Sequence, residues 1–166
     1  MSSEIKGGRI QDAFEPLLAE RLKALGIQLT KISITGDGLQ NILSGIAEIR
    51  AAKPDLVLCT GGMSVDPDDN TPGAIIQSGA KLISYGAPVL PGSMMMLAYY
   101  DDGVPIMGVP GGALYKKDRG GILDLILPRL AAGIRMTKDD FVAMGSGGLC
   151  LGCAECHYPV CPYGKV

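Results

Sequence analysis

The stretch DLVLCT at residues 55–60 is the feature that most constrains the fold of this chain. It is a short apolar run that follows Pro54 and leads into a long polar loop, TGGMSVDPDDNTP. A strand without alternating polar positions suits a parallel sheet that is covered on both faces. We therefore expect helices to pack on both sides of this strand.

Segments with helical and strand-like periodicity alternate along most of the chain. The predicted strands cover residues 28–34, 55–60, 81–85 and 105–109. The predicted helices cover residues 12–25, 39–52, 72–79, 93–100 and about 120–133, with Pro128 expected to kink or break the last one. This alternation predicts an α/β fold, a doubly wound and mostly parallel sheet with helices on both faces.

The organisation of the chain shows two irregularities. The first convincing element is a helix, and we expect the first strand of the sheet to be missing from this sequence. Residues 145–166 have neither a helical nor a strand period. The sequence therefore predicts an α/β domain over residues 1–140 and an irregular, cysteine-rich tail over residues 141–166.

Charge and hydropathy exclude several classes of function. Lys and Arg number 15 against 17 Asp and Glu, so the basic excess typical of a nucleic-acid partner is absent. No apolar run approaches the ~20 residues of a membrane span. The first residues, MSSEIKGGRIQD, lack the apolar core of a secretory signal. We expect a cytoplasmic protein without nucleic-acid or membrane partners.

The polar loop after the strand at 55–60 is the main candidate site. In open parallel sheets, ligands bind outside the carboxyl ends of the strands. Glycine N–H groups can receive a phosphate, and nearby carboxylates suit Mg²⁺. The alternative is an exposed acidic turn, because Asp, Asn, Gly and Pro all favour turns. The candidate residues in this loop are Thr60, Gly61, Gly62, Ser64, Asp66, Asp68 and Asp69.

Three other turns could belong to the same site. Pro91, Gly92 and Ser93 precede a predicted helix, whose N-terminus would attract phosphate. Pro110, Gly111 and Gly112 follow a predicted strand. Asp37 ends another strand in the segment TGDG. Each of these alone is first of all a turn signal, and Asp37 alone is a turn residue or a helix cap.

Taken in order, these segments resemble the molybdopterin-binding domains of molybdenum cofactor biosynthesis. The resemblance covers about residues 3–133. It rests on TGGMSVDPDDNTPGAI and on the segments SEIKGGRIQD, GDGLQNI, YGAPVLPGS and GVPGG. The family includes molybdopterin adenylyltransferases, molybdenum insertases and gephyrin-type proteins.

The resemblance implies a doubly wound α/β domain, commonly a homotrimer, that binds molybdopterin. Adenylyltransferases join the molybdopterin phosphate to AMP from ATP, and insertases split the adenylylated pterin and place molybdate on its dithiolene. The family implies that Asp37 and Asp69 position Mg²⁺ and phosphate as the catalytic pair of a transferase, and the turns resemble the insertase branch more closely. The implied ligand-binding residues are Thr60, Gly61, Gly62, Ser64, Asp66, Pro91, Gly92, Ser93, Pro110, Gly111 and Gly112.

Because the sequence departs from the family pattern at several positions, two alternative functions stay open. Gly38 stands where a second Asp is common, Gly73 where Glu is common, and GVPGGAL replaces GLPGNP. One alternative is a non-catalytic molybdopterin binder or carrier. The other is a metal-sensing or electron-transfer module whose functional part is the tail.

The tail contains Cys150, Cys153, Cys156 and Cys161 in the spacing C-x2-C-x2-C-x4-C, followed by proline. This spacing is close to a [4Fe–4S] pattern, with the last gap one residue longer. Zn²⁺ held by four thiolates, or by three with His157, is the competing interpretation. Disulfides are disfavoured because the chain has five cysteines and no secretory signal.

Two further groups are interpreted as core residues. Cys59 lies in the apolar run at 55–60, and the run from Met94 to Met96 fits core packing better than soft-metal binding. His157 is the only histidine of the chain, so histidine-based catalysis in the main domain is excluded.

Overall fold

A computed structural model describes residues 14–113 and 121–165. It contains a four-stranded sheet together with helices, which confirms the α/β class. The family-like segment SEIKGGRIQD lies outside the described residues. In chain order the elements are α1 (Phe14–Ala24), α2 (Leu39–Ala51), β1 (Val57–Thr60), α3 (Thr71–Gln77), β2 (Lys81–Tyr85), β3 (Met96–Tyr99), β4 (Pro105–Val109), α4 (Ile122–Ala131) and α5 (Lys138–Ala143).

The four strands form one sheet in the order β1-β4-β3-β2. β1 and β4 are parallel, whereas β3 is antiparallel to both β4 and β2. Thr60 pairs with Val109, and Met96 pairs with Gly108. The carboxyl ends of β1 and β4 and the start of β3 therefore lie at one edge of the sheet.

Both faces of the sheet are covered by helices. Within β3, Leu97 and Tyr99 belong to one apolar cluster, while Met96 and Ala98 belong to the other. This alternation is the two-residue period of a strand. Full burial of a side chain such as Leu97, which is 0% exposed, contributes about 1.5–3 kcal/mol. Strand β3 thus joins the two halves of the core.

The helix predicted over residues 93–100 is wrong, because Met96–Tyr99 form strand β3. A helix would bury only one stripe of these apolar side chains, whereas a central strand buries both alternating sets. Its backbone also pairs on both sides, with β2 and with β4. Met95 and Met96 are 1% and 0% exposed, which confirms the core interpretation of the methionine run.

The strand predicted over residues 28–34 is also wrong, since residues 27–36 carry no regular secondary structure. The reason is the position of β1, which ends the sheet. No strand of the described chain lies between β1 and this segment. Strand pairing needs a neighbouring backbone, so the strong β propensity of the segment has nothing to pair with.

Helix α4 continues through Pro128 from Ile122 to Ala131, so the predicted break does not occur. Pro128 has no N–H for the carbonyl four residues earlier, which belongs to Asp124. The Tyr158 hydroxyl donates to that carbonyl over 3.1 Å. This tail contact supplies the donor that the helix lacks.

The C-terminal residues pack on the first apolar cluster, where Tyr163 is 5% exposed. They are irregular apart from a short 3₁₀ helix, Met144–Gly147. Helix α5 was not predicted, although the sequence carries its signal: the Thr137 side chain accepts from the Asp140 N–H, and the Asp140 carboxylate accepts from the Thr137 N–H. None of the helices in the described ranges is long and apolar enough to cross a membrane.

Candidate functional site

Three of the predicted loops meet at the carboxyl edge of β1 and β4. The loop that begins at Gly61 leaves β1 beside the point where Pro110 leaves β4, because Thr60 and Val109 are paired. The turn at Pro91–Ser93 enters β3 at Met96, which is paired with Gly108. The structure therefore gathers the segments that the sequence identified separately.

The glycine turn after β1 folds back onto the first residue of α3. Gly61 and Gly62 have φ values of 80° and 58°, a region that disfavours side chains. A Cβ on Gly62 would lie 2.8 Å from Thr71 Oγ1. The Thr71 hydroxyl donates to the Gly61 carbonyl over 2.8 Å. Thr71, which is only 2% exposed, thus closes the turn.

Met63 anchors the loop in the core. Its side chain is 2% exposed, and it lies in the apolar cluster with Ala74 and Ile75. A Cβ on Gly108 would lie 2.5 Å from Met63 Sδ. The absence of a side chain at Gly108 therefore makes the space that Met63 fills. Sequence reasoning did not identify this role for Met63.

Asp69 carries the most unusual polar atom of the loop. Its Oδ2 is buried and has no hydrogen-bond donor among the described residues. Its Oδ1 would lie 3.7 Å from a Cβ on Gly62, so the carboxylate stands beside the glycine turn. An unsatisfied buried polar atom typically costs about 1–3 kcal/mol, and more when it is charged. Most buried polar atoms in native structures are paired, so this unpaired oxygen is the unusual feature of the loop.

Asn70 connects Asp37 to this loop. The Asn70 amide donates to the Asp37 carbonyl over 3.1 Å and to the Asp68 carbonyl over 2.9 Å. It thereby brings the start of α2 next to the Asp69 loop. The sequence signal for Asn70 was its place directly before the Thr-Pro start of α3, and it was not recognised. Gly38 is the N-cap of α2 and offers no side-chain cap.

The two Pro-Gly turns pack against each other. Gly92 has φ 103°, and a Cβ there would lie 3.0 Å from Ala113 Cβ and against Ile122. The Ile122 N–H donates to the Pro91 carbonyl over 3.1 Å. The turn after β4 is a 3₁₀ helix, Gly111–Ala113, in which Gly112 is exposed and has no atom of the described chain near its Cβ position.

The exposed side chains of the site belong to the tip of the first loop. Ser64 and Asp66 are exposed, and the neighbouring Val65 is 79% exposed. They stand outside the anchored base formed by Met63 and Thr71. The site thus combines a glycine turn closed by Thr71, a half-buried carboxylate with one buried oxygen, and an open polar rim.

A comparison with protein families identifies the domain in which these loops lie. The family described as "probable molybdopterin binding domain" matches residues 1–143. The chain belongs to this family. The glycine turn, Asp69 and the two Pro-Gly turns therefore lie in a domain of the molybdopterin-binding type.

Curated relatives of this domain are CinA-like proteins. The one from Mycobacterium avium (strain 104) is 36% identical over 69 residues, which is 42% of this chain and 16% of the relative. The one from Desulfosudis oleivorans is 33% identical over 79 residues, 48% of this chain and 19% of the relative. The match thus spans less than a fifth of the length of these relatives.

Solved structures share the fold. The molybdopterin biosynthesis enzyme MoaB from Thermus thermophilus has a TM-score of 0.62 at 20% identity, covering 83% of this chain and 92% of that one. The CinA protein from Thermoplasma acidophilum has a TM-score of 0.61 at 15% identity, covering 78% and 93%. At these identities the likeness establishes the architecture of the molybdopterin-binding domain and nothing finer.

The cysteine tail lies beyond the matched residues of the molybdopterin-binding domain, but it touches the site. The Cys150 N–H donates to the Leu90 carbonyl over 3.0 Å, and Leu149 forms an isolated bridge with Leu90. Leu90 directly precedes the Pro91–Ser93 turn. The tail is therefore attached to one of the loops that form the site.

The four tail cysteines lie in two environments. Cys150 and Cys161 are half-buried against the first core cluster, whereas Cys153 and Cys156 are exposed. None of them forms a disulfide. Within the described residues, no three Cys, His, Asp or Glu side chains are grouped as metal ligands. The prediction of a metal site in the tail remains a prediction.

Cys59 is separate from this tail and lies in β1. It is partly buried and packs against the second apolar cluster, in keeping with its interpretation as a core residue. Burial raises the pKa of its thiol to about 12. The thiol therefore stays protonated at neutral pH.

Proposed function

We propose that this domain binds molybdopterin, or its adenylylated form, by its phosphate end at the carboxyl edge of β1 and β4. The observation that carries the proposal is the buried Asp69 Oδ2, which has no donor among the described residues. The carboxylate stands beside the glycine turn at Gly61 and Gly62. Backbone N–H groups of such a turn can receive an anionic phosphate.

A bound phosphate and a nearby carboxylate would repel each other without a cation. In this proposal Asp69 holds Mg²⁺ and Asp37 is the second carboxylate, since Asn70 ties the Asp37 backbone carbonyl to the loop. The unpartnered Asp69 oxygen fits this role, since Mg²⁺ prefers one or two carboxylates together with substrate phosphates and water. When bound, Mg²⁺ would neutralise charge on the phosphate oxygens.

The remaining residues would position the pterin. Thr60, Gly61, Gly62 and Ser64 would line the phosphate end, and Asp66 would stand at the open rim. The two Pro-Gly turns would complete the wall with Pro91, Gly92, Ser93, Pro110, Gly111 and Gly112. Because Gly92 packs on Ala113 and Ile122, these turns form a fixed surface against which a flat pterin ring could rest.

The reaction that this arrangement suits is a transferase step on the phosphate. Either adenylyl transfer from ATP or cleavage of the adenylylated pterin with insertion of molybdate would use the same phosphate site. Gly38, at the N-cap of α2, contributes no carboxylate. A binder or carrier without turnover is therefore the second form of this proposal. We also propose that the domain forms a homotrimer, as is common in the family. The molar mass of the purified protein, measured by light scattering, tests this proposal.

Titration with molybdopterin and with its adenylylated form tests the proposal. Asp69→Asn keeps the shape of the side chain and removes its charge, so we expect binding to weaken at least tenfold and to lose its dependence on Mg²⁺. Asp68→Asn makes the same change on an exposed neighbour and should bind like the unchanged protein. Equal affinities of the two variants would contradict the proposed role of Asp69. Preference for one pterin form, with AMP release measured beside it, separates insertion from adenylyl transfer and from binding alone.

We propose a second function for the tail, namely binding of a thiophilic metal by Cys150, Cys153, Cys156 and Cys161. The ends of the tail loop are held together, because the Gly164 N–H donates to the Gly147 carbonyl over 2.8 Å. Cys150 and Cys161 both pack against the apolar cluster that contains the buried Tyr163. The exposed Cys153 and Cys156 lie on the intervening loop and could close over a metal. A reducing compartment such as the cytoplasm would keep these thiols available.

Metal analysis of protein purified without oxygen tests this second function. Stoichiometric zinc would identify a Zn²⁺ site, and iron together with acid-labile sulfide would identify a [4Fe–4S] cluster. Cys153→Ser should remove the metal, whereas Cys59→Ser should retain it. His157→Ala distinguishes a site of four thiolates from one that uses the imidazole. Metal-free protein whose tail thiols all react freely would contradict the proposal.

A further inference from the structure

The tail binds the backbone directly before the Pro91–Ser93 turn at two points. The Leu90 N–H donates to the Gly148 carbonyl over 2.6 Å, and the Cys150 N–H donates to the Leu90 carbonyl over 3.0 Å. These two bonds form the isolated parallel bridge between Leu90 and Leu149. Both polar backbone groups of Leu90 are therefore held by the tail, and one of their partners is a residue of the cysteine motif.

The approach of the two backbones leaves no room for a side chain at Gly148. A Cβ there would overlap the Pro88 carbonyl oxygen and lie 3.0 Å from its carbonyl carbon. The φ of Gly148 is −78°, which any residue adopts, so the close approach alone requires glycine at this position. The tail and the residues before the turn are therefore packed as one unit.

The tail also contacts the helix that binds this turn. The Ile122 N–H at the start of α4 donates to the Pro91 carbonyl over 3.1 Å. Two residues further along α4, the Asp124 carbonyl accepts from the Tyr158 hydroxyl of the tail over 3.1 Å. The tail is therefore attached to the start of the turn through Leu90 and to its supporting helix through Tyr158.

The ends of the cysteine motif are packed on the core, whereas its middle is exposed. Cys150 and Cys161 lie half-buried against the first core cluster, and Cys153 and Cys156 are exposed. Among the described residues, no three Cys, His, Asp or Glu side chains are grouped as metal ligands. Binding of a metal by the tail would therefore bring the two exposed thiols to the two packed ones, and the segment that ends at Cys150 would become part of a closed site.

We infer that a thiophilic metal bound by the four tail cysteines tightens pterin binding, because it fixes the Pro91–Ser93 turn through Leu90. This inference rests on both proposed functions, the pterin site and the tail metal site, and adds that the second regulates the first. A turn that is ordered before the pterin arrives loses less conformational freedom when the pterin binds. Such a coupling is reciprocal, so the pterin tightens metal binding by the same factor.

Hydrogen exchange tests the effect of the metal on the turn without any pterin. The amides of the full chain are compared by NMR in reduced, metal-free protein and after addition of Zn²⁺. We expect the amides of Leu90 and residues 92–95 to exchange at least about fivefold more slowly with Zn²⁺, because the metal restricts opening of this segment. The amides of α2 are the internal reference and should change less than about twofold. Protection confined to the tail would overturn the inference.

Molybdopterin titration measures the coupling itself. We expect the Kd of molybdopterin, followed by fluorescence, to be at least about fivefold lower with Zn²⁺ than in metal-free protein. The dithiolene of the pterin also binds Zn²⁺, so the same comparison is made with Cys153→Ser. In that variant Zn²⁺ should change the Kd less than about twofold. An equal Zn²⁺ effect in both proteins would show that the metal acts on the pterin directly, and it would overturn the inference.

Two glycine variants test the route through Leu90. Gly148→Ala keeps all four cysteines but forces the tail away from Pro88, so it should bind Zn²⁺ and lose the effect of Zn²⁺ on the Kd of molybdopterin. Gly145→Ala is the matched control, because its Cβ would lie 3.4 Å from Pro88 Cγ, an ordinary contact. This control should keep the full effect. If Gly148→Ala does not fold, as judged by circular dichroism, the Cys153→Ser comparison decides.

The outcomes separate this inference from the functions on which it rests. Pterin and Zn²⁺ that both bind, each with an affinity independent of the other, would overturn the inference alone. Weaker pterin binding with Zn²⁺, or a full effect of Zn²⁺ in Gly148→Ala, would overturn it as well. Absence of pterin binding would overturn the proposed pterin site together with the inference, and absence of Zn²⁺ binding would do the same for the tail metal site.

Discussion

The Tyr158 hydroxyl hydrogen bonds to the Asp124 carbonyl, which is the carbonyl that Pro128 leaves without a helical donor. One residue of the tail thus repairs a defect in a core helix. The relationship explains why α4 passes through Pro128 unbroken, and it ties the stability of the domain to the position of the tail. It also makes the tail part of the structure that supports the Pro91–Ser93 turn, since the Ile122 N–H of the same helix binds Pro91.

Removing the Tyr158 hydroxyl should destabilise the domain. Tyr158→Phe leaves the Asp124 carbonyl without its donor, and we expect the free energy of unfolding in urea to fall by about 1–2 kcal/mol. The cost should drop below about 0.5 kcal/mol in a Pro128→Ala background, because an alanine at this position supplies the missing N–H. Tyr85→Phe, at a residue that is 43% exposed, is the control. An equal cost in both backgrounds would show that the hydroxyl acts elsewhere.

Breaking the buried ion pair between Arg21 and Asp124 should destabilise the domain far more than breaking an ion pair on the surface. Arg21 Nε lies 3.3 Å from Asp124 Oδ1, and both side chains are 10% exposed. Arg21→Met would leave a buried carboxylate without this cation, so we expect a loss of about 3 kcal/mol in urea unfolding. The exposed pair of Lys81 and Asp101 provides the comparison, and Lys81→Met should cost less than about 1 kcal/mol. Similar losses in both variants would contradict the burial argument.

The sequence predicted well wherever local chemistry decides the structure. The helices α1 and α2 follow from apolar spacing, and the Gly61–Gly62 turn follows from residues that permit positive φ. Residues 93–100 were misread because their apolar side chains have no period, and pairing on both sides then favours a strand over a helix. Residues 28–34 were misread for the opposite reason, because a clear strand pattern has no partner beside β1.

The candidate site also contains some features that local sequence decides and others that depend on contacts between distant parts of the chain. The carboxyl ends of parallel strands lie at one edge of a sheet. The sequence therefore predicted that Thr60–Gly62 and Pro110–Gly112 would lie close together. The orientation of β3, which brings Gly92 to that edge, depends on antiparallel pairing that the sequence did not reveal. The anchoring roles of Met63 and Asn70 depend on contacts with Gly108 and Asp37, residues far away in the chain.

Cys59 should be the least reactive cysteine of the chain. Burial raises the pKa of its thiol to about 12, so only about one thiol in ten thousand is the nucleophilic thiolate at pH 8. We expect alkylation of Cys59 to be at least about a hundredfold slower than that of the exposed Cys153 and Cys156 in metal-free protein. Peptide mapping by mass spectrometry after a timed iodoacetamide pulse measures this difference. In urea all five cysteines should react at similar rates, and fast alkylation of folded Cys59 would contradict the prediction.

The pKa of Glu48 should depend on the contacts that attach residues 31–35 to α2. The pKa of this carboxyl is lowered first by the hydrogen bond from Lys31 and then by the one from Ser33. The pKa of Glu48 is lower in the folded protein than in the unfolded chain. These contacts therefore stabilise the folded protein at pH values above the pKa of glutamate in the unfolded chain. That stabilisation is lost as the pH falls through the folded value. A carboxyl NMR titration should therefore give Glu48 a pKa below its ordinary value. Lys31→Met should raise that pKa more than Ser33→Ala does, and the reverse order would show that the lysine is not the main partner.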